Sequence, residues 1–163
     1  MATVSVDLLR GELGQKGVFR AAIADSPIDV SALEHWALTP ECGALVTFRG
    51  VVRNHDHGRG VTAMKYESHP RASVFLERLV SQVAASHQVR VAAVHRTGAL
   101  AIGDVALVVA IAAAHRKEAF AVCDQLVDLI KAEVPIWKHQ AFENGQSEWV
   151  SECGADRPEG DRL

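Results

Sequence analysis

The chain has 163 residues, of which 48% are hydrophobic and 23% charged, and its formal net charge is −3. That length suits one domain able to bury roughly 70% of its unfolded surface, and the mildly acidic balance excludes a nucleic-acid binder that works through a broad basic face. Cys42, Cys123 and Cys153 are odd in number and lack CxxC spacing, so they build neither a disulfide framework nor a zinc site. The N-terminus carries no basic segment followed by an apolar run, so no secretory leader is expected. The longest apolar stretch, 105–114, is too short to cross a bilayer. A cytoplasmic enzyme or binding module, with no membrane and no nucleic-acid partner, is the expectation.

In chain order, residues 1–16 are of mixed polarity and read as a loosely ordered lead-in to a domain spanning 17–153. A first strand is predicted over 18–23, and Asp29 or Ser31 caps a short helix running to Trp36. Cys42-Gly43 opens a strand over 44–53, in which Gly50 marks a bulge or a close backbone approach. Residues 54–60, punctuated by glycine, form an exposed loop, and a strand follows over 61–67. Phe75, Leu76, Leu79, Val80 and Val83 recur at helical spacing, which predicts an amphipathic helix over 71–87. Apolar strands are predicted over 89–95 and 105–113. A second main helix runs over 117–131 with Phe120, Cys123, Val127 and Ile130 on one stripe. Asn144-Gly145 is the favoured pair for a two-residue type I′ turn, joining strands over 136–143 and 146–151. Residues 154–163 read as a mobile tail. The fold class is α+β, a single domain with a mostly antiparallel sheet and two main helices.

Chemistry concentrates at helix and strand ends. Pro135 cannot continue a helix and drives Val134 to extended geometry, so the chain turns between Lys131 and Lys138. Two ammonium groups at one corner make an anion site, although lysines near a helix C-terminus also serve simply as solvated charges that favour the helix dipole. Arg53 ends the second strand, with Arg49 on its face by alternation. His115-Arg116 precedes the second main helix, whose N-terminal amides favour an anion. Convergence of Arg53, His115, Arg116, Lys131 and Lys138 would enclose a phosphorylated or carboxylated small molecule. His55-Asp56-His57 has no third strong metal ligand at a recognisable spacing, and His95 reads as a packing residue. No GxGxxG, Walker loop, GxSxG or HExxH is present. Cys42 and Cys153 are candidate reactive thiols.

These segments resemble one family. Ala44 to Asn54 resembles the glycine-containing strand and arginine of the molybdopterin synthase large subunit, the MoaE family. His95-Arg96-Thr97-Gly98 followed by Gly103-Asp104 is similar to its HRxG and GD stretch. Ala114-His115-Arg116 with Ala119-Phe120, and Leu129-Ile130-Lys131 with Pro135-Ile136-Trp137-Lys138, resemble two further signatures in the same order and spacing. The resemblance covers residues 18–151 and implies an α/β-hammerhead-type fold. It implies a sulfurtransferase that converts cyclic pyranopterin monophosphate into the molybdopterin dithiolene, in molybdenum cofactor biosynthesis. The sulfur would arrive as the C-terminal Gly-Gly thiocarboxylate of a small ubiquitin-like (MoaD-like) subunit, so that no metal or organic cofactor is needed. The assembly implied is a homodimer within a heterotetramer.

Residue by residue, the resemblance makes Lys131 and Lys138 catalytic. It makes Val51, Val52 and Arg53 substrate-binding, together with His139 and Gln140. His115 and Arg116 would bind the phosphate region across a dimer interface, and Phe48 would contact the incoming tail. This chain departs from the pattern at Val51, where a basic residue is common, and at His139-Gln140, where a basic-acidic pair is common. It also departs at Cys153, where some relatives carry an arginine.

Overall fold

The computed structural model describes residues 17–151 and 153; the expected lead-in and tail lie outside them. The order is β1 (Phe19–Ala24), α1 (Val30–Ala37), β2 (Ala44–Val51), β3 (His55–Asp56), β4 (Arg59–Ser68), α2 (Ala72–His87), β5 (Arg90–Arg96), β6 (Gly98–Leu100), β7 (Val105–Ala113), α3 (Arg116–Glu133), β8 (Ile136–Phe142) and β9 (Ser147–Ser151). The α+β reading holds. The strands, however, divide into a four-stranded sheet ordered β1-β5-β7-β2 and a five-stranded one ordered β3-β4-β8-β9 with β6 on β4. All described pairings are antiparallel except β1 with β5.

The continuous apolar runs of β5 and β7 follow from burial on both faces of the first sheet. Val91, Ala93, Val109 and Ile111 face α2 and α3, where they meet Leu76, Val80, Val122 and Leu126. Ala92, Val94, Val108 and Ala110 face α1 and its Leu33 and Trp36. Asp29 caps α1, its Oδ1 accepting from the Ala32 amide at 3.0 Å, as expected of an Asp at that position. A third, smaller core of Val52, Val61, Met64, Leu100, Ala106 and Phe142 joins the second sheet to the first.

Three local expectations are corrected. Residues 54–60 are not a loop but a hairpin. His55 pairs with Gly60 and Asp56 with Arg59, and His57 and Gly58 adopt φ of 47° and 76°. The type I′ turn therefore sits there, because it needs left-handed backbone at both central residues. At Asn144-Gly145 only Gly145 is left-handed, with φ 82°. The Gly145 amide donates to the Phe142 carbonyl and the Phe142 amide to the Gln146 carbonyl, a type I turn closed by a glycine bulge. Phe120 lies off the buried stripe of α3 and is 62% exposed, since Ala119, Val122, Cys123, Leu126 and Ile130 occupy the face turned to the sheet.

Candidate active site

α3 ends as its sequence requires. Val134 caps it with φ −82° and ψ 120°, its amide donating to the Ile130 carbonyl, and Pro135 prevents another turn. Trp137, 5% exposed, anchors the following strand, which pairs with β4 from Ser68↔Ile136 to Val61↔Phe142. Lys131 in the last helical turn and Lys138 in β8 are thereby brought to one corner. Alternation along β8 turns Ile136, Lys138 and Gln140 inward together.

Opposite this corner, β2 delivers Phe48, Gly50 and Val51. Its register against β7 shifts between Gly50 and Val51, the bulge anticipated from Gly50. The Gly-Asp turn braces the strand end just beyond the bulge. The Val52 amide donates to the Asp104 carbonyl at 2.9 Å and the Gly103 amide to the Val52 carbonyl at 2.7 Å. Arg96 reaches the Asp104 carboxylate at 3.4 Å. Arg53 emerges from this clamp, and its Nη2 donates to Asp56 Oδ1 at 3.2 Å. Asp56 Oδ2 accepts from Gln140 Nε2 at 2.9 Å. Gln140 holds the Asp56 carboxyl below the usual carboxylate range against the opposing effect of burial, with Lys138, His57 and Arg53 adding to the stabilisation.

These groups line one cavity of about 300 Å³ between the two sheets, at the lower end of small-molecule sites. Phe48, Val51, Val52, Arg53, Lys131, Lys138 and Gln140, all expected at the site, border it. Arg49 does not: its Nη2 lies 4.0 Å from Glu34 of α1, and the shift after Gly50 breaks the alternation that would align it with Arg53. His139 occupies the opposite face of β8, its ring 4.7 Å from that of Trp149. His115 and Arg116 are exposed at the N-terminus of α3; Arg116 stands fifteen residues before Lys131, about 22 Å along the helix axis. None of the three cysteines borders the cavity. In the His55-Asp56-His57 run, His55 Nδ1 bonds Asn54 at 3.0 Å, Asp56 turns inward, and His57 is 86% exposed.

Asp56 and His95 also border the cavity, although the sequence reading placed neither of them at the site. Asp56 fell in the expected loop, and a type I′ signal in His57-Gly58 was the available clue. His95 read as a packing residue, yet it borders the cavity with its ring edge-on to Tyr66, 5.2 Å between centroids. Its Nδ1 lies 2.9 Å from the Arg96 carbonyl, which only accepts, so Nδ1 carries the hydrogen. Burial lowers its pKa to about 4, partly opposed by that backbone bond. The ring is thus neutral near pH 7, and Nε2 is a hydrogen-bond acceptor.

A sequence model of the MoaE protein matches residues 23–133. The chain belongs to the MoaE family. It is 39% identical over 140 residues to the molybdopterin synthase catalytic subunit 1 of Mycobacterium tuberculosis, covering 83% of this chain and 90% of that protein. The crystal structure of molybdopterin synthase from Staphylococcus aureus superposes with a TM-score of 0.74 at 30% identity, over 78% of this chain and 94% of that one. A Helicobacter pylori complex of subunits 1 and 2 of molybdopterin-converting factor contains a chain of the same fold, with a TM-score of 0.66 at 20% identity over 81% of this chain and 90% of that one. The MoaE signatures are thereby tied to geometry: the Gly-Asp turn braces the arginine strand, and the Pro-Ile-Trp-Lys run sets the second lysine against the first.

Proposed function

We propose that this MoaE-family chain is the catalytic subunit of a molybdopterin synthase, a sulfurtransferase that uses Lys131 and Lys138. The observation carrying this reading is that Arg53, Lys131 and Lys138, drawn from the segment after β2, from α3 and from β8, line one cavity. The substrates implied by the family are all anionic: a cyclic pyranopterin monophosphate and the C-terminal thiocarboxylate of a small ubiquitin-like subunit. A cationic pocket of fixed dipoles and charges lowers their mutual repulsion and stabilises charge that develops as they react. For each sulfur delivered, a carbon–sulfur bond forms on the pterin side chain as a carbon–oxygen bond to the same carbon breaks, the oxygen leaving with the phosphate or as water. Water then cleaves the acyl–sulfur bond, and the tail leaves as a carboxylate.

In this reading Lys131 stabilises the sulfur-transfer centre, while Lys138 neutralises the oxyanion on the acyl carbon or the departing phosphate oxygen. Phe48 borders the route of the incoming tail, and Val51, Val52, Arg53 and Gln140 border the substrate. His115 and Arg116, about 22 Å from Lys131 along α3, act on the cavity of a second copy within a homodimer. The Helicobacter pylori complex supports a small subunit as partner. The test is a conversion assay with purified protein, the cyclic pterin phosphate and thiocarboxylated small subunit, reading the product as its fluorescent oxidised derivative. Lys131→Ala is expected to lower turnover by about 10²–10³-fold with an unchanged circular dichroism spectrum. Turnover near the wild-type rate would sink the assignment.

A further inference from the structure

Asp56 is the only buried carboxylate among the described residues, 7% exposed, and it lies in a cavity whose other charged lining residues, Arg53, Lys131 and Lys138, are cations. A carboxylate there opposes the binding of an anion, and burying it is costly unless both its oxygens are paired. Both are paired: Oδ1 accepts from Arg53 Nη2 at 3.2 Å and Oδ2 from Gln140 Nε2 at 2.9 Å. Gln140 is itself only 1% exposed, whereas the Arg53 side chain is 66% exposed. The interaction thus joins a rigid buried amide to a long side chain that would otherwise sample many rotamers. The acceptor-only carboxylate also sets which way the Gln140 amide points. The hairpin turn at His57-Gly58 and the Asp56↔Arg59 pairing hold Asp56 inward from the other side.

We propose that Asp56 is a positioning residue: clamped by Gln140, it aims the Arg53 guanidinium at the anionic substrate and maintains the spacing of the cationic cluster that includes Lys138. The inference rests on the catalytic reading above. A carboxylate that were merely a structural filler would, when removed, change stability and leave the kinetics of the folded protein alone. One acting only through its charge would, when removed, tighten anion binding without slowing turnover.

The test is steady-state conversion by the full chain with thiocarboxylated small subunit, comparing wild type with Asp56→Asn. The expected result is a kcat lowered about 10–100-fold, the scale of a reacting group misplaced by about an ångström, with a KM for the pterin that is unchanged or lower. The double variant Asp56→Asn with Gln140→Glu returns the carboxylate to the other side of the same hydrogen bond, and is expected to recover most of the lost kcat. A kcat within twofold of wild type in folded Asp56→Asn would overturn the proposal. If Asp56→Asn does not fold, the double variant decides. Folded and active, it supports the proposal; folded and as slow as Lys131→Ala, it refutes it. A second readout is independent of turnover: nitrogen-15 relaxation of the Arg53 side chain in the unliganded protein. The guanidinium is expected to be more mobile in Asp56→Asn, and in the double variant its order is expected to match wild type. Unchanged mobility in Asp56→Asn, or an Arg53 loosened in the double variant, counts against positioning even if wild type makes no product. Absence of product from wild type, by contrast, tells against the synthase reading.

Discussion

At the scale of single residues, His95 shows how a cavity wall can be polar and uncharged. Packed against Tyr66 and bonded through Nδ1 to the Arg96 carbonyl, it is largely buried, and burial disfavours an imidazolium. Its pKa falls from 6.5 to about 4, so the unfolded chain binds more protons than the folded one between those values. Stability from this residue is therefore fully present above pH 6.5 and lost as pH falls toward 4. The difference corresponds to about 3 kcal/mol. Urea midpoints measured from pH 7.5 to 4.5 should fall across this window in wild type, and His95→Asn should show a much shallower slope, whatever its absolute stability. An equal slope in both would mean that another group carries the pH dependence. The histidine's presence in an apolar strand was plain from sequence. Its neutrality and its place on the cavity wall were not, because both depend on Tyr66 and on the ends of β4 and β8.

At the scale of elements, two short connections govern the site. The α3–β8 junction was legible from Pro135 and Trp137, since a proline that stops a helix and an aromatic that anchors the next strand act within a few residues of each other. The β3–β4 hairpin was not. His57 in left-handed geometry is uncommon for a residue with a Cβ, and Gly58 beside it keeps the strain of the turn low. A Cβ at Gly58 would meet no atom within 4 Å, so any cost of adding one comes from its φ of 76° alone. Gly58→Ala is expected to destabilise the fold by about 1 kcal/mol, measured as a lower urea midpoint with an unchanged m-value. No loss of stability would show that the turn relaxes to another form, and Asp56 would then lose its backing from that side.

At the scale of the whole molecule, α3 separates two groups of cations. Lys131 closes the cavity at one end, and His115-Arg116 stand exposed at the other. If the second group serves a neighbouring copy, each active site is shared between two chains. Mixing Lys131→Ala and Arg116→Ala proteins, each inactive alone, should then restore about a quarter of wild-type activity. Random pairing puts half of the dimers in the mixed state with one intact site in two. No recovery, with subunit exchange verified, would place the function of Arg116 within its own chain or outside catalysis.

Short-range physics is the part of this protein that can be read along the chain. Helical spacing placed α2 and α3, unbroken apolar runs marked β5 and β7 as buried strands, and Pro135 set Lys131 and Lys138 around one corner. Their order and spacing also carried the family resemblance. Which side chains meet is a matter of tertiary structure. Asp56 and Gln140 are 84 positions apart, and they touch only because β4 pairs in a particular register with both the short β3 and β8. The same register turns His139 toward Trp149 and away from the cavity. Periodicity says which residues share a face, but which face looks onto the site is set by pairing and sheet packing, whose energy comes from contacts between residues far apart in the chain.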